Sequence, residues 1–190
     1  RDFRRGGVDK DEATRVRIKQ IDDELVMLGQ QFSRNIVDDV RHIALRDASE
    51  MKGLPQDYID GHKPNPKGEI LITTNYPDYI PFMSYADSTE LRKQLYVASR
   101  ARGDRTNPDV LKRILELRTE KVVLLGYSSW ADYATEDKMM QSGRNAAEFI
   151  ERVARTAEER ARRDYEELLR YKREHIDRSA TQVEDFEKSY

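Results

Sequence analysis

Few side chains in these 190 residues could do chemistry. There are three histidines, His42, His62 and His175, and no cysteine. A water-activating zinc site of the H-E-x-x-H kind holds two imidazoles four apart on one helical face, with a glutamate between them. None of the three histidines has another at i+3 or i+4. Glu174-His175 fits the end of an H-x-x-E-H pattern, but Tyr171 stands at the first ligand position. Zinc could then be held only by a site assembled from distant segments. The plainer reading is a half-buried His42 beside a strand, a loop His62 and a surface His175. Asp22-Asp23-Glu24 and Glu158-Glu159 have the residue types of a general acid–base pair, yet their setting is that of solvated helix faces. Arg160, Arg162, Arg163, Arg170, Lys172 and Arg173 are interleaved with Glu158, Glu159, Asp164, Glu166, Glu167 and Glu174, which argues against a phosphate site. No residue is assigned a catalytic or metal-binding role. Tyr76, Tyr79, Tyr85 and Tyr96 gather around a proline-containing segment. Tyrosine buries a large ring and keeps its hydroxyl wet, so this cluster suits either packing or a binding surface.

The elements that must position these residues are mostly helices. Hydrophobic residues are 37% of the chain, charged residues are 37%, and mean hydropathy is −0.88. So polar a chain folds as long amphipathic helices with thin apolar stripes, or against a partner. A single domain of this length buries roughly 70% of its extended-chain surface, enough for a core. The net charge of −2 offers no basic field for nucleic acid. No apolar run nears the ~20 residues of a membrane span, so neither nucleic acid nor membrane is expected as a partner. No signal peptide is visible, which leaves cytoplasmic and periplasmic locations equally open. The chain starts at Arg1 rather than Met and is expected to be a piece of a larger protein.

Residues 1–8 are expected to fray. Asp9 and Glu12 are spaced as a capping box, and Ile18, Ile21, Leu25, Leu28 and Phe32 form a helical stripe ending near Ile36. Gly29 interrupts it, as a close helix crossing would require. Strands are expected at 41–45 and 69–74, separated by turn chemistry, with 61–68 an exposed loop carrying few backbone pairings. Pro77 and Pro81 favour extended chain after the second strand. Asp87 with Glu90 caps a helix running to Gly103, and Asn107-Pro108 opens one closed by Gly126. A short helix is expected over 130–137. Ser142 caps a long one with Phe149, Ile150, Val153, Ala157, Ala161, Tyr165 and Leu168 on one face.

The order of short motifs carries a resemblance. VRIKQIDDELVMLGQQFSRNI (16–36) is followed by Gly53-Leu54-Pro55, Tyr58-Ile59, Tyr76-Pro77-Asp78-Tyr79-Ile80-Pro81 and Arg102-Gly103. Then come Leu117-Arg118, Lys121, Leu124-Leu125-Gly126-Tyr127, Ala131-Asp132-Tyr133, Lys138-Met139 and the final VEDFEKSY, with Asp185 and Tyr190 in matching places. Together these resemble the thimet oligopeptidase, neurolysin and oligopeptidase A family of zinc metallopeptidases over about residues 12–190. Val183 stands where that family has Trp.

The resemblance implies a mainly α multi-helix lobe, 1–190, with a small two-stranded β element. It would be the upstream wall of a deep peptide channel. In such peptidases the downstream half carries the H-E-x-x-H helix, a further glutamate ligand, and the His and Tyr that stabilise the transition state. None of these maps onto this sequence, so zinc is expected in the intact parent and no cofactor in this chain. The implied function is a non-catalytic channel-wall lobe of an oligopeptide-hydrolysing metalloendopeptidase. Its partners would be the missing catalytic half and short peptides. Tyr76, Tyr79 and Tyr85 are the candidate peptide contacts. With Phe82 they are expected to leave an uncovered inner face through which copies self-associate. The competing reading is a free-standing helical interaction module.

Overall fold

The computed structural model describes residues 5–188. Residues 1–4 of the expected frayed start, and Tyr190, lie outside the described residues. The chain divides into two compact units. One comprises 1–34 with 105–164, the other 35–104 with 165–190.

The first unit is helical. Helix α1 (Glu12–Asp38) enters it, and Ile18 and Ile21 are buried there. Its cap is Asp11 rather than Asp9: Oδ1 accepts from Thr14 N at 2.9 Å and Oδ2 from the Thr14 hydroxyl at 2.7 Å. Gly29 has nothing within 4 Å of where a Cβ would sit, so no close crossing accounts for it. After the strands and three further helices of the second unit comes the helix Asn107–Leu125, which buries Val110, Ile114, Leu117, Val122 and Leu125. It ends at Gly126, in the left-handed region at φ 89°.

Two forked ion pairs bind this helix to α1. Arg17 Nε and Nη2 donate to Glu120 at 2.6 and 2.7 Å, and Arg113 Nε and Nη2 donate to Glu24 at 2.7 and 3.0 Å. The pairs sit one heptad apart on each helix with opposite polarity. A one-heptad slip would set Arg17 against Arg113. The charges therefore help fix the register, although surface pairs contribute little stability each.

The second unit holds the sheet. β1 (His42–Leu45) pairs antiparallel with β2 (Ile70–Thr73), with Ile43 opposite Ile72 and Leu45 opposite Ile70. Alternation turns Ile43, Leu45, Ile70 and Ile72 inward, onto Met51, Leu54, Phe82, Met83, Leu95 and Phe186. His42 faces outward and is exposed rather than half-buried. Between the strands lie a 3-10 turn (Ala48–Met51) and helix α2 (Gln56–Gly61), where turns alone were expected.

The loop after α2 is better paired than its prolines and glycines suggested. Asn65 Oδ1 accepts from Lys67 N and Glu69 N, and Asn65 N donates to Glu69 O at 2.8 Å.

The segment with Pro77 and Pro81 is not extended. It is helix α3 (Tyr76–Tyr85). Pro77 lies in the first turn, where an N–H has no helical partner to lose, and Pro81 removes a single later bond. Helix α4 (Thr89–Arg100) is capped by Ser88 Oγ, which accepts from Leu91 N at 3.3 Å, rather than by Asp87.

With Asn107–Leu125 as α5, the remaining helices are α6 (Trp130–Thr135) and α7 (Gly143–His175). Ser142 Oγ caps α7, accepting from Asn145 N at 3.1 Å. Every residue of α7 from Ala147 to Leu168 is exposed. No helix among the described residues is long and apolar enough to cross a membrane.

Candidate functional site: the α3 surface

Helix α3 is fixed to the second unit from beneath. Phe82 and Met83 are buried in its core, and Tyr79 packs half-buried against the same cluster. Phe82, expected on an uncovered face, is 0% exposed. Burial pushes the Tyr79 phenol above its ordinary range.

The first turn of α3 is held by its own carboxylate. Asp78 Oδ2 accepts from Thr73 N at 3.0 Å and from the Thr73 hydroxyl, and Asp78 Oδ1 lies 3.2 Å from His62 Nε2. His62 Nδ1 donates to Tyr58 O at 2.7 Å, and the two rings stack with centroids 4.2 Å apart. The Tyr58 hydroxyl closes the circuit by donating to Asp78 O at 2.9 Å. Burial, with the Asp78 charge adding to it, drives the Tyr58 phenol well above its usual range. His62 is thus a strut between α2 and α3. Sequence reasoning missed this hub. Its one legible sign was an acidic residue in the first turn of a proline-started helix.

Tyr76 and Tyr79 are neighbours three positions apart on the helix, but Tyr85 does not share their face. Tyr76 is 76% exposed and Tyr85 54% exposed. They are nine positions apart, so they point to opposite sides of the helix, roughly half a turn apart. Tyr79 faces the core. Ile80, 50% exposed, lies one turn from Tyr76 on the same side. Tyr76 and Ile80 are therefore neighbouring exposed side chains of α3, and Tyr85 lies on another side.

Tyr96 has a structural partner: its hydroxyl donates to Asp185, and the Arg100 guanidinium stands over its ring at 5.0 Å. Hydrogen bonds from Lys188 and then Tyr96 hold the Asp185 carboxyl below its ordinary range. This node ties α4 to the segment after α7. That segment is held further by Lys172 Nζ to Glu187 at 2.7 Å and Arg173 Nε to Ala180 O at 2.7 Å.

The histidines do not assemble a metal site. Both ring nitrogens of His62 are engaged as described. His175 is exposed and lies against Tyr171, with ring centroids 4.3 Å apart. Among the described residues no group of three or more His, Asp or Glu side chains is placed to share a metal ion.

Comparison with known proteins gives the following. The model for peptidase family M3 matches residues 82–190. The chain is 28% identical over 173 residues to a thimet-like oligopeptidase of Dictyostelium discoideum, covering 90% of this chain and 26% of the relative. It is 31% identical over 178 residues to the chloroplastic/mitochondrial organellar oligopeptidase A of Arabidopsis thaliana, covering 85% and 22%. It is 26% identical over 182 residues to oligopeptidase A of Escherichia coli (strain K12), covering 88% and 27%. The chain spans about a quarter of the length of these curated relatives.

Proposed function

Because the chain belongs to peptidase family M3, we propose that it is the non-catalytic wall lobe of a zinc-dependent oligopeptidase, acting with a catalytic part that these 190 residues do not contain. The observation that carries this reading is α3: a helix locked to the core by Phe82 and Met83 that keeps Tyr76 and Ile80 on its surface. Such a helix supplies a rigid, apolar, sequence-tolerant contact for short unfolded peptides. Zinc would supply the activated water in the catalytic part. The described residues of this chain do not fit that metal, since His62 is committed to Tyr58 and Asp78 and no ligand group of three is brought together among them. The lobe's contribution is steric selection and peptide contact.

Co-expressing the chain with a family M3 catalytic part from its own reading frame tests this. A quenched-fluorescence peptide should be cleaved by the complex and by neither part alone, and a zinc chelator should stop it. Tyr76→Ala should raise KM more than it lowers kcat. Two folded parts that fail to associate would remove the proposal. The interaction-module reading is favoured by the exposed face of α7, and association with unrelated folded proteins but not with the catalytic part would select it.

A further inference from the structure

The two-stranded sheet has outer edges, and on one of them the outward backbone groups have no hydrogen-bond partner among the described residues. Thr74 N donates to Arg41 O at 2.8 Å, which makes Arg41 and Thr74 a hydrogen-bonded pair of the antiparallel ladder. In such a ladder hydrogen-bonded and non-hydrogen-bonded pairs alternate. The next bonded pairs are then Ile43 with Ile72 and Leu45 with Ile70. His42–Thr73 and Ala44–Leu71 are the non-bonded pairs in this register, and their backbone groups point away from the partner strand. The geometry at Thr73 agrees: its N–H leaves the ladder and donates to Asp78 Oδ2 at 3.0 Å.

The two edges therefore differ. Asp78 occupies the β2 edge at Thr73. On the β1 edge the N–H and C=O of His42 and of Ala44 face outward, and both residues are exposed. Among the described residues neither backbone makes a bond outside the ladder. Exposed unpaired edges are sites for strand addition unless charge, proline or a bulge blunts them. Neither His42 nor Ala44 is a proline, a carboxylate, a lysine or an arginine.

We propose that the outer edge of β1 at His42 and Ala44 binds an extended peptide by strand addition, making a three-stranded sheet in the order β2, β1, peptide. The ligand class is unfolded peptide of little sequence preference, because recognition uses main-chain bonds. This rests on the peptidase reading for the identity of the ligand and adds its mode of binding. Only an extended backbone repeats one donor and one acceptor at alternate residues with the spacing that His42 and Ala44 present. The site is short, so binding is weak by itself and works as one contact among several along a channel wall.

The test uses the 190-residue chain, isotopically labelled, and a capped seven-residue Ala/Ser peptide. A second copy of the peptide carries N-methyl groups at alternate amides. Adding the first peptide should shift the His42 and Ala44 amide resonances and slow their hydrogen exchange about tenfold, the N–H being newly paired. The N-methylated copy should do neither. Ala44→Pro removes one outward N–H and leaves the ladder bonds in place, a substitution that edge strands tolerate. It should weaken binding roughly fivefold, the worth of one backbone hydrogen bond. The N-methyl comparison keeps the question open to decision should that variant not fold.

Equal binding of both peptides overturns the proposal, as does a response at Leu71 with none at Ala44. Protection of Ala44 that rises with protein concentration in the absence of peptide would mean that the edge pairs with a second copy, which also overturns it. The two readings fail separately. A co-expressed complex that cleaves peptide while the Ala44 amide stays unmoved removes only the edge site. Edge binding without cleavage in that complex removes only the peptidase reading.

Discussion

Phe82→Ala is the sharpest probe of how the α3 surface is held. The ring is 0% exposed and sits among Leu45, Ile70, Ile72 and Leu95, all of them fully or almost fully buried. Truncating a wholly buried phenylalanine costs about 3–5 kcal/mol, the lost transfer energy plus the cavity left behind. Set against the ~5–15 kcal/mol that hold a typical domain together, that is a third or more of the total. Tyr85, three residues on, is 54% exposed, and Tyr85→Ala should stay within about 1 kcal/mol. Urea unfolding followed by circular dichroism separates the two. With a slope of about 2 kcal/mol per molar, Phe82→Ala lowers the midpoint by roughly 2 M and Tyr85→Ala barely moves it. Trp130 is the only tryptophan and belongs to the other unit, so its fluorescence reports on that unit. A loss below about 1 kcal/mol for Phe82→Ala, or equal losses for the two variants, would mean that α3 is not seated on this core.

Two glycines should respond oppositely to alanine. At Gly53, φ is +91° and a Cβ would stand 2.2 Å from Tyr85 O, so Gly53→Ala should cost more than ~1 kcal/mol by thermal unfolding. At Gly29, inside α1 with open space around it, Gly29→Ala should gain about 0.5–1 kcal/mol. Acid should weaken the fold in a definite window. Glu24 and Glu120 are held below their ordinary range by hydrogen bonds from Arg113 and Arg17. Asp132 is lowered by Ser128, then by the Gly143 amide and Ser129. A carboxylate lowered on folding contributes above its unfolded value, near 4, and loses that contribution as pH falls through the folded value. Melting temperature should therefore be flat from pH 7 to about 5 and fall below about 4, and Asp132→Asn should flatten that fall. Charge reversal tests the α1–α5 register: Glu24→Arg alone should destabilise, and adding Arg113→Glu should restore the loss, read as a double-mutant cycle.

Much of this was legible because local signals dominate locally. The stripe Ile18–Ile21, the β-branched run before Asn75 and the glycine after Leu125 each named their element. Caps were displaced by one or two residues because several polar residues compete at each helix start: Asp9 and Asp11, or Asp87 and Ser88. Only the geometry of the first turn selects among them. The α3 helix was misread because Pro77 and Pro81 look like breakers in sequence, whereas the turn in which a proline falls decides whether it breaks anything. The Tyr58–His62–Asp78 circuit was not legible at all. It joins residues twenty apart through a backbone carbonyl, and no spacing rule points to that. The grouping of Tyr76, Tyr79 and Tyr85 is divided by the helix for a related reason. It was inferred from clustering in sequence, and a helix turns residues nine apart to opposite sides.

Helices α5 and α7 show what periodicity can and cannot settle. Both carry apolar residues at three and four spacing. In α5 the stripe Val110, Ile114, Leu117 is buried, with Leu117 wholly so. In α7 the stripe Ile150, Val153, Leu168 is 50–65% exposed. The pattern says which face seeks cover and is silent on what provides it. For α5 the cover lies within these 190 residues, and forked ion pairs to α1 help fix the register. For α7 the ion pairs run along the helix itself, Arg144 with Glu148 and Arg160 with Asp164. Pairs of that kind support a helix without choosing a neighbour. They leave α7 formed and its apolar face uncovered among the described residues.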